Sequence, residues 1–304
     1  MTLAAATAEY LDGHLRAERN ASPHTLRNYG VDLRQFAAFA GPDSDLSAFT
    51  PARIRDFLAA LYAQGCGKTT VARHLSSVRS LFAYCADRGY IPSNPARLLA
   101  SPKLGRKLPQ FPTTEQVNRM LDEPMPASAA FPERDHALLE VLYGCGVRVS
   151  ELTGLDLGDV DFSEMTLRVT GKGRKQRLVP FGGKAKDALE SYLAARAKLA
   201  GVARKERALF LNLRGKRLTP RSVARMVKAS ALAFGLPLDL HPHALRHAFA
   251  SHLLGEGADL RAIQEMLGHR SLATTQRYTH TDIRKLMEVY DAAHPLERGA
   301  RKPE

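Results

Sequence analysis

The chain has 304 residues, about twice the length of a typical domain, and its 44% apolar content suffices for ordinary hydrophobic cores, so two domains are expected. Lys and Arg number 44 against 31 Asp and Glu, and a net charge of +13 favours a polyanionic partner, nucleic acid first, although a generically basic protein carries the same excess. No apolar run reaches membrane-spanning length, the opening residues carry Glu9 and Asp12 and read as a helix rather than a signal peptide, and Cys66, Cys85 and Cys145 fit neither a disulfide framework nor paired zinc ligands, so a reducing cytoplasm is the expected compartment.

The first hundred residues carry four helical patterns. Ser22-Pro23 and Thr50-Pro51 each supply an N-cap followed by proline at the first helical position, where its missing N–H costs nothing. Leu26, Tyr29, Leu33 and Phe36 then recur at helical spacing, as do Ile54, Phe57, Leu58 and Leu61. A third stripe, Val71, Leu75, Val78, Leu81 and Phe82, lies between the stops Gly65 and Gly89. These elements predict a small helical bundle over 1–100. Residues 101–112 hold three prolines and three basic residues with no acid, which predicts an exposed cationic linker.

Beyond it, 132–142 reads as a buried helix. DVDFSEMTLRVTGKGRKQRLVP, residues 159–180, alternates apolar and polar residues on both sides of GKGR, which predicts a strand, a tight glycine turn and a second strand. Helices are expected again at 184–199, 220–234, 242–254 and 259–267. The charge is unevenly shared: residues 1–100 hold 11 basic and 8 acidic residues against 33 and 23 in 101–304.

Several short motifs carry candidate chemistry. In GVRVSEL, residues 146–152, Arg148 lies one helical turn before Glu151, a spacing that lets a carboxylate orient a guanidinium; taken alone, such a pair is ordinarily a surface ion pair. TGKGRKQR, residues 170–177, crowds Lys172, Arg174, Lys175 and Arg177 around the turn, either as a solvated hairpin tip or as a cationic hairpin for a nucleic-acid groove. HPHALRH, residues 241–247, places His243 and Arg246 on one helical face. His241 and His243 resemble a zinc ligand pair, but a guanidinium beside them suits an anion better than a metal. LGH at 267–269 and TTQRYTH at 274–280 add His269 and Tyr278.

Together with SPHTLRNYGVDLRQF, NPARLLASPKLGRKLP and the closing YDAAHP, these motifs resemble the tyrosine recombinases of the phage-integrase family, and within it the bacterial Xer recombinases, the ending looking more like the XerC branch than the XerD branch. The resemblance covers nearly the whole chain. It implies a mainly α fold with a small antiparallel β-sheet: an N-terminal SAM-like core-binding bundle over 1–100 that clamps DNA, the linker 101–112, and a catalytic domain over 113–304. By motif, the family's catalytic positions fall on Arg148, Lys172, His243, Arg246, His269 and Tyr278. The implied activity is site-specific DNA strand cleavage and transfer through a 3′-phosphotyrosyl intermediate, with no cofactor and no metal. The implied partners are a double-stranded DNA recombination site, a second, XerD-like recombinase in a heterotetramer docked through residues 283–294, and an FtsK-type septal DNA translocase, with no membrane. The implied role is resolution of chromosome or plasmid dimers at cell division. Arg270 and Arg277 stand where small or apolar residues are more usual in the family, which touches DNA contacts or docking rather than chemistry. The alternatives are a non-cleaving architectural DNA-binding protein, a mobile-element integrase and a type IB topoisomerase-like enzyme.

Overall fold

The computed structural model describes residues 1–103, 111–199, 206–236, 240–268 and 287. The middle of the linker, His269, Tyr278 and residues 283–294 apart from Met287 lie outside the described residues, as does the side chain of Lys172. The chain forms two compact units, Met1–Leu108 and Pro109–Glu304.

The first unit is helical. α1 (Leu3–Ala8) runs directly into a wider-wound stretch, Glu9–Glu18, and is followed by α2 (Pro23–Ala40), α3 (Pro51–Ala63) and α4 (Lys68–Asp87). The expected caps are formed: the Ser22 hydroxyl accepts the Thr25 N–H at 3.1 Å and the Thr50 hydroxyl accepts the Arg53 N–H at 3.3 Å, each worth about 1 kcal/mol. Leu33, Phe36, Ile54, Phe57, Leu75, Val78 and Phe82 from three helices meet in one core. The core is also rich in aromatic edges, with Phe36 against Phe57 at 5.0 Å between ring centres.

The second unit is built around α6 (Pro132–Gly144), whose residues from Ala137 onward are buried on every side, against α8 (Gly183–Ala197) and α10 (Pro242–Gly255). α5 (Thr114–Asp122), α7 (Val149–Gly154), α9 (Pro220–Ala233) and α11 (Leu260–Leu267) complete the helices described. The expected two-stranded hairpin is a three-stranded antiparallel sheet in the order β1 (Val160–Asp161), β2 (Thr166–Thr170), β3 (Gln176–Pro180). The DVD stretch turns back on β2 at Met165, which takes a left-handed φ of 50°, so residues expected to continue one strand make two. Between β2 and β3 the connection is a turn over Lys172–Arg174 with Gly173 at φ 76° and Arg174 at φ 58°. On the sheet's inward face Val169 stands opposite Arg177 and Leu167 opposite Val179. Phe111, at the end of the expected linker, packs its ring 5.5 Å from that of His247 on α10. The architecture is therefore mainly helical with one small antiparallel sheet.

Candidate active site

The site grows from the junction of α6 and α7. After α6 the backbone reverses at Gly146, whose φ of +57° is left-handed and whose missing side chain is required: a Cβ would lie 2.4 Å from Cδ1 of Phe249. This reversal buries Val147 and leaves Arg148 as the residue capping α7. Glu151, in the first turn of α7, reaches back so that its Oε2 accepts the Arg148 backbone N–H at 2.8 Å, while Oε1 accepts from Arg148 Nη1 at 2.9 Å.

Taken alone, the spacing of this pair reads as a surface ion pair, but the structure buries its carboxylate. Glu151 is 3% exposed and serves three guanidiniums from three elements. Arg177 on β3 donates from Nη1 to Oε1 at 2.8 Å and from Nη2 to Oε2 at 3.0 Å, and Arg246 on α10 brings Nη1 within 3.9 Å of Oε2. Burial pushes the Glu151 carboxyl up, but Arg177 first and Arg148 second more than offset it and hold it down at about 2. Arg246 moves the other way: burial, then the charge of Arg148, lower it to about 10, and it stays protonated at neutral pH. Three cations against one carboxylate leave a surplus of two positive charges.

Arg177 and Arg246 also grip the end of α11. Arg177 Nε donates to the Met266 carbonyl at 2.9 Å, and Arg246 donates from Nη2 to the Leu267 carbonyl and from Nη1 to the Gly146 carbonyl, both at 2.5 Å. Those helix-end carbonyls have no partner within α11, so the two arginines satisfy them and fix the chain three and two residues before His269. At the far end of α7, Arg217 donates to the carbonyls of Thr153 at 2.9 Å and Leu155 at 3.0 Å and pairs with Asp156.

His243 lies exposed on α10, and partial desolvation, followed by the positive surroundings of His241, Arg246, His247 and Arg148, lowers its pKa below the ordinary histidine value. It is neutral at pH 7 and able to take a proton. His241 is the N-cap of α10, its Nδ1 accepting the Ala244 N–H at 3.1 Å, and its ring stands 6.2 Å from that of His243. Of the six residues named from the sequence, Arg148, His243 and Arg246 are gathered here. Lys172 sits in the β2–β3 turn by its backbone, and His269 and Tyr278 lie outside the described residues.

Glu151 and Arg177 are the residues missing from the sequence-based site. The sequence pattern groups Arg177 with the cations of the hairpin tip and pairs Glu151 with Arg148 alone. The period-two alternation of β3 held the signal, since it places Arg177 on the same face as Val179. Among the described residues no group of three or more His, Cys, Asp or Glu side chains is arranged to hold a metal ion, and no helix is long and apolar enough to cross a membrane.

The phage integrase family model matches residues 110–284, and that of the phage integrase N-terminal SAM-like domain matches residues 8–89. The chain belongs to the phage integrase family. Curated relatives of this tyrosine recombinase include two named tyrosine recombinase XerC. That of Thermodesulfovibrio yellowstonii is 46% identical over 94% of this chain and 95% of its own length, and that of Myxococcus xanthus is 46% identical over 97% and 99%. Solved structures share the fold. The Tn1549 transposon integrase in complex with circular intermediate DNA superposes with a TM-score of 0.72 at 20% identity, covering 94% of this chain and 99% of that one. A lambda integrase dimer bound to a COC' core site gives 0.67 at 19% identity, covering 100% and 80%.

Proposed function

We propose that this recombinase cuts and rejoins DNA at a specific site by transesterification, with Tyr278 as nucleophile. The phenol oxygen of Tyr278 attacks a phosphodiester phosphorus and stays joined to the 3′-phosphate, and the bond to the 5′-oxygen breaks. A phenol with pKa ~10 is protonated at neutral pH, so its proton leaves during attack. Neutral His243, with its lowered pKa, is the acceptor. Lys172 returns a proton to the departing 5′-oxygen. Charge gathers on the non-bridging oxygens, where Arg148 and Arg246, with His269, donate, each donor being worth about 3 kcal/mol. Attack of a 5′-hydroxyl from another strand on the phosphotyrosine reverses the step, so no external energy source is required.

The observation that carries this reading is the gathering of Arg148 and Arg246 on one buried carboxylate with charge to spare. In the same reading 1–100 is a core-binding clamp, 101–112 crosses the DNA backbone, and 113–304 is the catalytic domain. The protein acts in the cytoplasm with a second, XerD-like recombinase in a heterotetramer, under an FtsK-type translocase, to resolve chromosome or plasmid dimers. DNA binding should weaken steeply as salt rises.

The test is covalent capture. A pool of nicked duplexes made from the DNA of the source cell is incubated with the protein, with and without the second recombinase. Wild type is expected to yield a protein–DNA adduct at one site through Tyr278, and Tyr278→Phe to bind that site and yield none. Binding without any adduct in either mixture would leave an architectural DNA-binding protein, and plasmid relaxation without strand exchange a topoisomerase-like enzyme.

A further inference from the structure

Arg177 has no part in the chemistry above, yet it gives Nε, Nη1 and Nη2 to the protein and is only 9% exposed. Its two terminal nitrogens occupy both oxygens of Glu151, the same carboxylate that Arg148 holds at 2.9 Å and Arg246 approaches to 3.9 Å. A buried carboxylate without full compensation draws neighbouring cations onto itself. For Arg246 the exchange is short, since the nitrogen that approaches Glu151 is the one bonded to the Gly146 carbonyl. Without Arg177, Glu151 would face two guanidiniums alone and cancel the charge of one of them.

We propose that Arg177 is a positioning residue of the phosphate site: its fork neutralises Glu151, so that the charges of Arg148 and Arg246 remain available to a phosphate, while its Nε holds the end of α11. The fit is built for a planar fork. Gly268 closes over the guanidinium in a left-handed turn, φ +64°, and a Cβ there would lie 3.0 Å from Arg177 Nη1. A residue placed to keep a carboxylate from competing with the substrate raises transition-state binding without touching the substrate.

The inference rests on the phosphotyrosyl reading, and the experiment separates the two. Cleavage is measured on the captured nicked site at saturating DNA, once with the natural phosphodiester and once with a single methylphosphonate at the scissile position. The methyl group replaces one non-bridging oxygen and removes its negative charge. Arg177→Met is expected to slow cleavage of the phosphodiester about 100-fold, the loss typical of a missing electrostatic donor, while DNA affinity stays within about threefold of wild type. On the neutral linkage, which needs less positive charge, the loss should shrink to about tenfold or less. Equal losses on the two linkages, or no loss on either, would overturn the proposal. Should Arg177→Met fail to bind DNA, Arg177→Lys decides: it keeps the charge but loses the fork, so cleavage of the phosphodiester is expected to slow by less than about 100-fold and the loss again to shrink on the neutral linkage, and equal losses on the two linkages count against neutralisation. A wild-type protein that forms no adduct sinks the phosphotyrosyl reading itself, whereas a wild-type adduct with an undiminished Arg177→Met adduct sinks only the role of Arg177.

Discussion

Asp32 in the first unit and Glu151 in the second are both buried carboxylates set among cations, and the two are used differently. In the first unit Asp32 on α2 is fully buried, accepts the Ser77 hydroxyl at 2.7 Å, pairs with Arg73 and has His74 Nε2 at 3.4 Å, all from α4. The Arg73 side chain is 43% exposed, so one acid and one arginine meet at the edge of the helix pair and tie α2 to α4. In the second unit Glu151 holds Arg148, Arg177 and Arg246 from α7, β3 and α10. A buried acid with one arginine is a clamp. A buried acid with three is a platform that gathers elements distant in sequence and leaves positive charge over for an anion.

That contrast can be broken by isosteric neutralisation. Glu151→Gln, which releases three guanidiniums from one anchor, is expected to lower the rate of adduct formation at saturating DNA by at least about 100-fold. Asp32→Asn should instead leave the rate per folded molecule unchanged and cost about 2 kcal/mol of stability, read as a lower thermal midpoint. If both substitutions acted mainly on stability, the platform would be another clamp.

Gly146→Ala sharpens the same point from the backbone side. Left-handed φ and the collision with Phe249 are expected to cost about 2–3 kcal/mol and to displace the carbonyl that holds Arg246, so both the thermal midpoint and the cleavage rate should fall. Unchanged cleavage in a folded variant would show that the Gly146 carbonyl does not position Arg246.

The smallest effect is with pH. His243 and His252 have pKa values lowered in the folded protein, His252 chiefly by burial. The unfolded chain therefore binds more protons just below the ordinary histidine value, and stability is lost as pH falls through that range. His136, raised by its bond to Glu140, acts oppositely: its contribution is present at low pH and lost as pH rises through its folded value. His252→Asn should accordingly flatten the acid loss of the thermal midpoint. Cleavage should show its own acid limb, below the ordinary histidine value, where His243 gains a proton, and a rate that does not fall on the acid side would remove His243 as the acceptor.

Much of this was legible in the sequence because it is local. The caps at Ser22 and Thr50 depend on residues three apart, and α6, α9, α10 and α11 begin or end within two residues of their expected limits. α5 carried a readable start, the reciprocal bonds between Thr113 and Gln116, that an apolar stripe of three buried residues did not advertise. β1 is two residues long, too short for alternation to register. The spacing of Arg148 and Glu151 told correctly that the two meet, but not that Glu151 is buried, because burial comes from β3 and α10, which are 26 and about 95 residues away in sequence. The wide winding of Glu9–Glu18 had no counterpart in the pattern of apolar residues.

The central claim is that Arg148 and Arg246 converge on a single phosphorus atom beside the Tyr278 phenol. It is tested most directly by a crystal structure of the protein on its nicked site with orthovanadate, whose five-coordinate geometry mimics the attacked phosphate. The expected result is one vanadate bonded to the Tyr278 oxygen, with donors from both guanidiniums about 3 Å from its equatorial oxygens. Guanidiniums of Arg148 and Arg246 on two different phosphates, or a vanadate bonded to another residue, would contradict it.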